Sequence, residues 1–316
     1  MFATSLQTPE HIALAERLGY RYAFTYDSPT LYADPWMALA RAAERTTRIG
    51  LGVAVITPRL RHVTASACAL ATLANLAPGR VTVVVGAGFT SQLMLGQRPA
   101  RWAEVAAYVE QMRQLLGGQE VELDGQLVGL FQSAATGLRL PVSVPIWVAA
   151  NGPRGCATGE RVGELVLTSV RERAPVGGRW GVTLHGVVLE GDETLEAPSV
   201  IEAAGPAAAF MLHRGQHGPA AGTAEAAAFA DYVASVPPER RHIETHRGHL
   251  IEVRPAERPL LGPELIRRTT CTGSAEEVAA RLAQVAAAGA EVVLYQPAGP
   301  DIPRRLTSFA RVAGLR

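Results

Sequence analysis

The chain has 316 residues with 30 basic and 29 acidic side chains, and because it contains no lysine, all 30 are arginines. The absence of lysine excludes Schiff-base catalysis and the lysine of a phosphate-binding P-loop. It does not exclude phosphate binding, since arginine binds anions at least as well. The formal net charge of +1 argues against general binding to nucleic acid or to an anionic membrane.

The composition predicts a globular chain with a large core, because 48% of the residues are apolar and 19% are charged. The first residues lack a basic segment followed by an apolar one, and no apolar run approaches the roughly 18 residues of a membrane span. Cys68, Cys156 and Cys271 are far apart and form no Cys-x-x-Cys pair, so neither a disulfide framework nor a zinc ribbon is indicated. We expect a cytoplasmic protein without a signal peptide.

Short β-branched runs alternate with amphipathic stretches along the chain. The predicted strands cover residues 2–6, Tyr22–Tyr26, Ile49–Ile56, Val81–Gly86, Val144–Ala149, Glu164–Ser169, Val182–Leu189 and Glu291–Tyr295. Several are continuous apolar runs, typical of parallel strands that are covered on both faces. Eight strands alternating with helices over this length predict an α/β fold, a (β/α)8 TIM barrel.

Two helices are predicted with particular clarity, since apolar residues recur at three- and four-residue steps over 102–116 and 278–286. Ser274 and Glu277 form a capping box before the second of these helices. Two excursions, 117–143 and the proline-rich 190–272, interrupt the predicted single domain of residues 1–316. We expect the longer excursion to form short helices that shape one rim of the barrel.

The ends of barrel strands and the loops after them form the active face of such a fold. One of these loops, at Gly86 and Gly88, resembles half of a dinucleotide-binding fingerprint, but Ser91 stands where its third glycine would be. A Rossmann fold is therefore the weaker alternative. Two glycines so close together still allow a planar ring or a phosphate to approach the backbone.

A second such loop contains Asn151, Gly152 and Pro153. Pro153 suits the first turn of a helix, whose free amides would face the loop and bind an anion. An ordinary strand-to-helix turn explains the same residues equally well.

Asp27, at the end of the second predicted strand, suits a catalytic acid or base, an acceptor that orients a ring, or a helix cap. The residue type alone favours the cap. His62 opens a predicted helix, and a packing or helix-start role is favoured over proton transfer.

Five histidines lie in the long excursion. His242, His246 and His249 have helical spacing, but Gly248 interrupts it, and a solvated rim is favoured over a metal site. His213 and His217, on either side of Gly215, indicate a metal even less. We assign no metal ligand.

The order of these motifs resembles the bacterial luciferase-like oxidoreductase superfamily, and within it the branch that uses coenzyme F-420, an 8-hydroxy-5-deazaflavin. The resemblance is carried by residues 50–62, 71–73, 79–88, 98–99, 144–153 and 272–274. It implies a TIM barrel that holds an isoalloxazine-type ring at the carboxyl ends of its strands. It also implies a homodimer that acts on a small-molecule substrate.

The resemblance assigns roles to individual residues. Asp27 and Ser28 would lie at the edge of the ring. A non-prolyl cis peptide between Ala54 and Val55 would lie against its back face, and Ile56 and Thr57 are assigned to the same site. The cofactor's side chain and phosphate would lie along Gly86, Gly88, Phe89, Thr90, Ala150, Asn151, Gly152, Pro153, Thr168 and Ser169.

The proton donor is the point at which this chain departs from the branch. Many relatives have Asp-His after the second strand, whereas this chain has Asp27-Ser28. A serine hydroxyl is a poor acid, so Tyr26, His62 or a histidine of residues 190–272 would replace the missing imidazole. The predicted catalytic residues are therefore Asp27, Ser28 and His62.

An anionic cofactor tail would require cations near the strand ends. The arginines placed there by the predicted barrel are Arg59, Arg61, Arg154, Arg171 and Arg173.

Three functions follow as hypotheses. The favoured one is an F-420-dependent oxidoreductase that transfers a hydride between the deazaflavin and an electron-poor C=C or C=N bond. The alternatives are a monooxygenase that uses reduced flavin mononucleotide (FMN) and oxygen, and a flavin-binding protein without turnover.

Overall fold

The computed structural model describes residues 1–169, 174–215 and 219–315. Its strands are β1 (Tyr22–Thr25), β2 (Gly50–Ile56), β3 (Val83–Gly86), β4 (Val121–Leu123), β5 (Gln126–Val128), β6 (Ile146–Ala149), β7 (Val166–Thr168), β8 (Trp180–His185) and β9 (Val292–Gln296). The strands β4 and β5 pair as an antiparallel hairpin within 117–143. The other seven form a parallel sheet in the order β1-β2-β3-β6-β7-β8-β9.

Helices follow most strands and cover the outside of this sheet. They are α1 (Thr8–Arg17), α2 (Pro35–Ala43), α3 (Val63–Leu76), α4 (Phe89–Leu93), α5 (Trp102–Leu116), α6 (Pro153–Val162), α7 (Pro198–His213), α8 (Ala224–Ser235), α9 (Arg241–His246), α10 (Pro263–Thr269), α11 (Ala275–Ala287) and α12 (Ile302–Val312). The two clearest helix predictions are confirmed as α5 and α11, and the Ser274–Glu277 capping box is formed. Within the described residues, no helix is both long and apolar enough to cross a bilayer.

The amino-terminal residues fill the gap between β9 and β1. Phe2 forms a single parallel bridge with Thr25, and the amine of Met1 donates to the carbonyl of Tyr295 at 2.6 Å. The predicted strand over 2–6 is therefore wrong in extent, because the chain turns at Ser5 into α1. The parallel sheet is a nearly closed barrel, which confirms the predicted fold class.

Strand β8 ends earlier than the sequence predicts. At Gly186 φ is 143°, and a Cβ there would lie 2.5 Å from the backbone of Cys271. Beyond this residue the chain leaves the barrel and pairs with 271–273, through the amides of Leu189 and Gly273. The predicted strand Val182–Leu189 is thus two segments with different partners, and His185 lies at the carboxyl end of a barrel strand.

The long excursion 190–272 has an apolar cluster of its own. Helices α7, α8 and α10 contribute fully or almost fully buried side chains to it, among them Val200, Phe229 and Ile266. The prediction of helices in this excursion is confirmed, but of α7 to α10 only α9 and α10 are short, since α7 has 16 residues and α8 has 12. These helices lie on the rim formed by the carboxyl ends of the strands. Phe210, on α7 of this excursion, lies at the barrel opening.

Candidate functional site

A cavity of about 440 Å³ opens at the carboxyl ends of the barrel strands. Most of the predicted site residues line it: Asp27, Ser28, Ala54, Val55, Gly86, Gly88, Phe89, Thr90, Ala150, Asn151, Gly152, Thr168 and Ser169. They come from the ends of five strands, as expected of the active face of a barrel. The structure thus brings together residues that are up to 142 positions apart, from Asp27 to Ser169.

Four predicted residues do not line the cavity. Ile56 and Thr57 are fully buried behind its wall. Pro153 is the first residue of α6 and is exposed. His62 is an exposed helix cap, whose ring accepts from the amide of Thr64, so its position does not support a role in proton transfer.

One wall of the cavity contains the predicted cis peptide between Ala54 and Val55, which is present. The register between β2 and β3 shifts at this point, between Ala54 and Ile56. Gly86 lies opposite, and a Cβ at Gly86 would be 3.2 Å from the side chain of Val55. Ala54, Val55 and Gly86 therefore form an apolar, closely packed part of the cavity wall.

The loop after β3 depends on Gly88. Its φ of +77° favours glycine, and a Cβ there would lie 2.8 Å from Oγ1 of Thr57. Gly88 is the N-cap residue of the short helix α4, which brings Phe89 and Thr90 to the cavity. The predicted close approach of a ligand to this backbone is consistent with that geometry.

Asp27 is paired and does not cap a helix, so the favoured cap prediction is wrong. Its carboxylate accepts from Nε and Nη2 of Arg61 at 2.7 and 3.2 Å, and Asp34 accepts from the same guanidinium at 2.9 Å. Asp34 is the residue that caps α2. Burial raises the pKa of Asp27, while the hydrogen bond and the charge of Arg61 oppose this rise.

Few of the arginines proposed from the sequence are available to an anion. Arg61 is committed to two carboxylates, and Arg59 pairs with Glu104 at 2.9 Å. Arg154 is exposed and is not part of the cavity lining. Arg171 and Arg173 lie outside the described residues.

Arg214 is the arginine that lines the cavity. Its guanidinium lies 6.0 Å from the ring centre of Phe210, and Nη1 donates to Oγ of Ser169 at 3.4 Å. No carboxylate among the described residues pairs with it, and burial lowers its pKa. An anion in the cavity would supply the missing negative charge.

A polar corner surrounds Arg214. Oδ1 of Asn151 accepts from the amide and hydroxyl of Ser169 and from the hydroxyl of Thr168, at 2.8 to 3.1 Å. Gly152 is the N-cap residue of α6, and no side chain caps this ten-residue helix. Its first-turn amides and Arg214 therefore lie at the same end of the cavity, an arrangement that would suit an anion.

Two imidazoles also line the cavity, those of His185 and His249. His185 is buried at the end of β8, and its ring lies 6.4 Å from that of Phe210. Nε2 of His249 is 3.3 Å from Oγ1 of Thr90, and burial lowers the pKa of His249 well below its usual value. Tyr26 bonds Gln296 through its hydroxyl, and burial raises its pKa well above the usual range.

His246 and His249 are buried, at 2% and 5% exposure, so the expectation of a solvated rim is wrong. Helix α9 ends at His246, and Gly248, with φ of +73°, turns the chain so that His249 meets His246 and His213. His242 is not part of this group, and His217 lies outside the described residues.

Sequence reasoning missed His185 and Arg214. His185 was hidden because the predicted strand continued to Leu189, which placed the imidazole in the middle of a strand. Arg214 follows α7, in a region where the sequence predicts no strand end and therefore no cavity residue. The signal that points to His185 is a histidine close to the end of a predicted barrel strand, four residues before Leu189.

The fold and the cavity define a class: an α/β barrel enzyme with a cavity at the carboxyl ends of its strands. The chain matches the family described as luciferase-like monooxygenase over residues 6–291, and it belongs to this family of flavin- and deazaflavin-dependent oxidoreductases.

The chain spans about half the length of the curated relatives that it matches. An F-420-dependent glucose-6-phosphate dehydrogenase of Beutenbergia cavernae is 36% identical over 182 residues, 52% of this chain and 52% of that protein. An F-420-dependent hydroxymycolic acid dehydrogenase of Mycobacterium tuberculosis is 28% identical over 180 residues, 51% of this chain and 48% of that one.

Solved structures resemble the fold over the whole chain. The coenzyme F-420-dependent tetrahydromethanopterin reductase of Methanopyrus kandleri superposes with a TM-score of 0.74 at 17% identity, covering 100% of this chain and 98% of that one. An F-420-dependent secondary alcohol dehydrogenase superposes with a TM-score of 0.69, also at 17% identity, with the same shares covered. Both support the barrel.

Proposed function

We propose that this chain is an F-420-dependent oxidoreductase that transfers a hydride between the deazaflavin and a small molecule. The observation that carries the proposal is the joining of two features in one cavity. The apolar wall at Ala54 and Val55 suits a three-ring system, and the polar corner at Arg214 suits a phosphate. The F-420-dependent relatives support the choice of this cofactor.

The residues present fit the cofactor. Gly86 packs so closely on Val55 that a Cβ there would lie 3.2 Å from the valine side chain, and the ring would lie against this apolar wall. Arg214, the first-turn amides of α6 and the hydroxyl of Ser169 would hold the phosphate. The bound deazaflavin supplies hydride chemistry, while the protein supplies binding, orientation and shielding from water.

A proton must accompany the hydride when a C=C or C=N bond is reduced, and we assign it to His185. His185 lies in the cavity at the end of β8, whereas Ser28 has no acidic group and His62 lies elsewhere. His249 is the less suitable imidazole, since burial keeps it neutral. A positioned general acid contributes about 10²- to 10⁴-fold to a rate.

The test of cofactor choice is a binding titration of the purified full chain. Saturable quenching of F-420 fluorescence is expected, with reduced FMN binding at least tenfold more weakly. Binding of reduced FMN without binding of F-420 would overturn the proposal and favour the monooxygenase. Product formed under strict anaerobiosis would in turn exclude the oxygen-dependent reaction.

For the substrate we propose an electron-poor C=C or C=N bond, because the cavity beside His185 is lined by apolar and aromatic side chains such as Phe210. The test is a panel of enones, imines and secondary alcohols with reduced or oxidised F-420. Turnover of enones or imines is expected, and turnover of alcohols alone would contradict this substrate class. No turnover of any member, with F-420 bound, would favour the non-catalytic alternative.

A further inference from the structure

Three buried imidazoles form a group beside the cavity, those of His213, His246 and His249. Each offers one ring nitrogen, and these nitrogens lie within 4.8 Å of one another. The ring centres form a nearly equilateral triangle with sides of 5.7, 5.8 and 5.8 Å. All three residues are more than nine-tenths buried.

The hydrogen bonds of these rings leave one nitrogen of each without a partner. Nδ1 of His213, of His246 and of His249 is buried and makes no hydrogen bond among the described residues. A buried polar atom without a partner costs about 1–3 kcal/mol, and three in one place require an explanation. A shared ligand that binds all three supplies one.

His213 has the arrangement of a metal-bound histidine. Its Nε2 lies 2.7 Å from Oε1 of Glu257. Because a carboxylate oxygen accepts, Nε2 carries the proton and Nδ1 presents its lone pair to the group. Histidines that ligate metals usually donate their other ring N–H to a carboxylate in this way, which fixes the tautomer and the ring orientation.

Charged side chains surround the group on the side of His213. Glu257 and Glu244 both contact the guanidinium of Arg254, at 2.6 and 3.3 Å, so two carboxylates face one buried arginine. The exposed Arg247 reaches Glu244 from outside at 3.6 Å. Two carboxylates and two arginines balance beside the group, so the imidazole nitrogens and the hydrogen bond from His213 to Glu257 would hold the ion.

Aromatic rings enclose the group. The rings of Phe89, Phe210 and Phe229 each lie beside one imidazole, with ring centres 5.9 Å from His246, 4.7 Å from His249 and 5.2 Å from His213. Such a shell limits access of bulk water. Because His249 also lines the cavity, the group is open on that side.

We propose that His213, His246 and His249 bind a divalent transition metal ion, Zn²⁺ by preference, with the fourth position open to the cavity. Imidazole suits Zn²⁺, and three protein ligands with one open position are typical of its reactive sites. Tetrahedral bonds of about 2.1 Å place ligand nitrogens about 3.4 Å apart, so modest side-chain rotations complete the site. The assignment is independent of the cofactor.

The test uses the full chain without a histidine tag and without F-420, titrated with Zn²⁺ by calorimetry and with Co²⁺ by visible absorption. One ion per chain is expected, with an intense Co²⁺ band of four- or five-coordinate geometry. His246→Gln should weaken binding at least tenfold. His242→Gln, on the same helix but outside the group, should bind as the unmodified chain does.

X-ray absorption of the Zn²⁺-loaded unmodified chain keeps the proposal testable if His246→Gln fails to fold. Three imidazole ligands at about 2.0–2.1 Å are expected. The proposal is overturned if neither ion binds, if the absorption spectrum shows fewer than three imidazoles, or if His246→Gln folds and binds Zn²⁺ unchanged.

Discussion

At the scale of single residues, the cavity depends on charges that the protein satisfies itself and on one that it leaves for a ligand. The carboxylate of Asp27 is fully buried and held by the bidentate contact with Arg61. Arg214 has no such carboxylate among the described residues. The sequence treats all arginines alike, and only the fold distinguishes the paired from the available.

Removal of the Asp27 carboxylate should destabilise the protein and the ring site together. Asp27→Ala leaves a partly buried guanidinium with Asp34 alone, and a loss of about 2 kcal/mol in the free energy of unfolding is expected. F-420 affinity should fall at least tenfold, about 1.4 kcal/mol. Denaturant unfolding and fluorescence quenching measure the two effects.

The matched control is Glu291→Ala, which breaks the bidentate but exposed pair with Arg179. Exposed pairs contribute little to stability, and this one lies outside the cavity lining. Equal effects of Asp27→Ala and Glu291→Ala would show that the buried pair of Asp27 contributes no more than an exposed pair.

Loss of Arg214 should weaken cofactor binding with little effect on folding. Arg214→Ala is expected to raise the dissociation constant of F-420 at least tenfold and to reduce its dependence on salt. Arg59→Ala, which removes an arginine already paired with Glu104, should leave the affinity within about threefold. Titrations at several salt concentrations compare the variants, and a stronger effect of Arg59→Ala would refute the assigned phosphate corner.

Replacement of His185 should affect turnover more than binding. His185→Gln is expected to lower kcat about 100-fold with F-420 affinity unchanged, since a general acid acts in the reaction step. His62→Gln, at the exposed cap of α3, tests the rival sequence prediction and should retain turnover within about threefold. The reverse order of the two variants would return proton transfer to His62.

At the scale of elements, the loop between β3 and α4 shows how a backbone conformation shapes the site. Gly88 combines a φ of +77° with contact to Thr57, whereas Gly118 has the same φ and nothing within 4 Å of a built Cβ. The pair separates the cost of the conformation from the cost of the contact. At Gly88 both costs apply to a residue that lines the cavity.

Gly88→Ala should therefore be more disruptive than Gly118→Ala. A left-handed alanine costs about 1–2 kcal/mol at either position, and the Cβ at Gly88 adds a collision with Oγ1 of Thr57. We expect a larger fall in the free energy of unfolding and weaker F-420 binding for Gly88→Ala only. Thermal unfolding and fluorescence titration measure the difference, and identical behaviour of the two variants would contradict the contact.

The same scale shows which parts of the molecule are predictable from sequence. Strands such as β3, with its continuous valines, and the periodic helices α5 and α11 follow from local pattern. The end of β8 does not, because residues 187–189 are as apolar as the strand but pair with 271–273. The same holds for the site. The loops at the strand ends are predictable from local pattern, whereas the positions of His185 and Arg214 depend on tertiary pairing and on the path of the excursion.

At the scale of the whole molecule, two separately packed regions meet at the cavity. The barrel strands and the helices around them share an apolar core that includes Ile146. The excursion packs around an apolar cluster of its own that includes Ile266. Both isoleucines are fully buried. The barrel supplies the wall at Ala54 and Val55, and the excursion supplies Arg214.

A cavity in the excursion should thus loosen the rim without loosening the barrel. Ile266→Ala and Ile146→Ala each remove the same atoms from a packed cluster, at a cost of about 3 kcal/mol. Hydrogen exchange should accelerate in α7 and α10 alone for Ile266→Ala, with weaker F-420 binding. Acceleration spread evenly over barrel and excursion would show that the two regions unfold as one unit.

The short pairing of 187–189 with 271–273 has a consequence for how such a molecule can diversify. Because this pairing brings the two ends of the excursion side by side, the excursion leaves and rejoins the barrel at a single point. Its length and sequence can change without shifting any barrel strand. A new rim can then be exchanged for the old one as a block, so that selectivity for the reacting molecule and the histidine group vary while the wall for the ring is inherited unchanged.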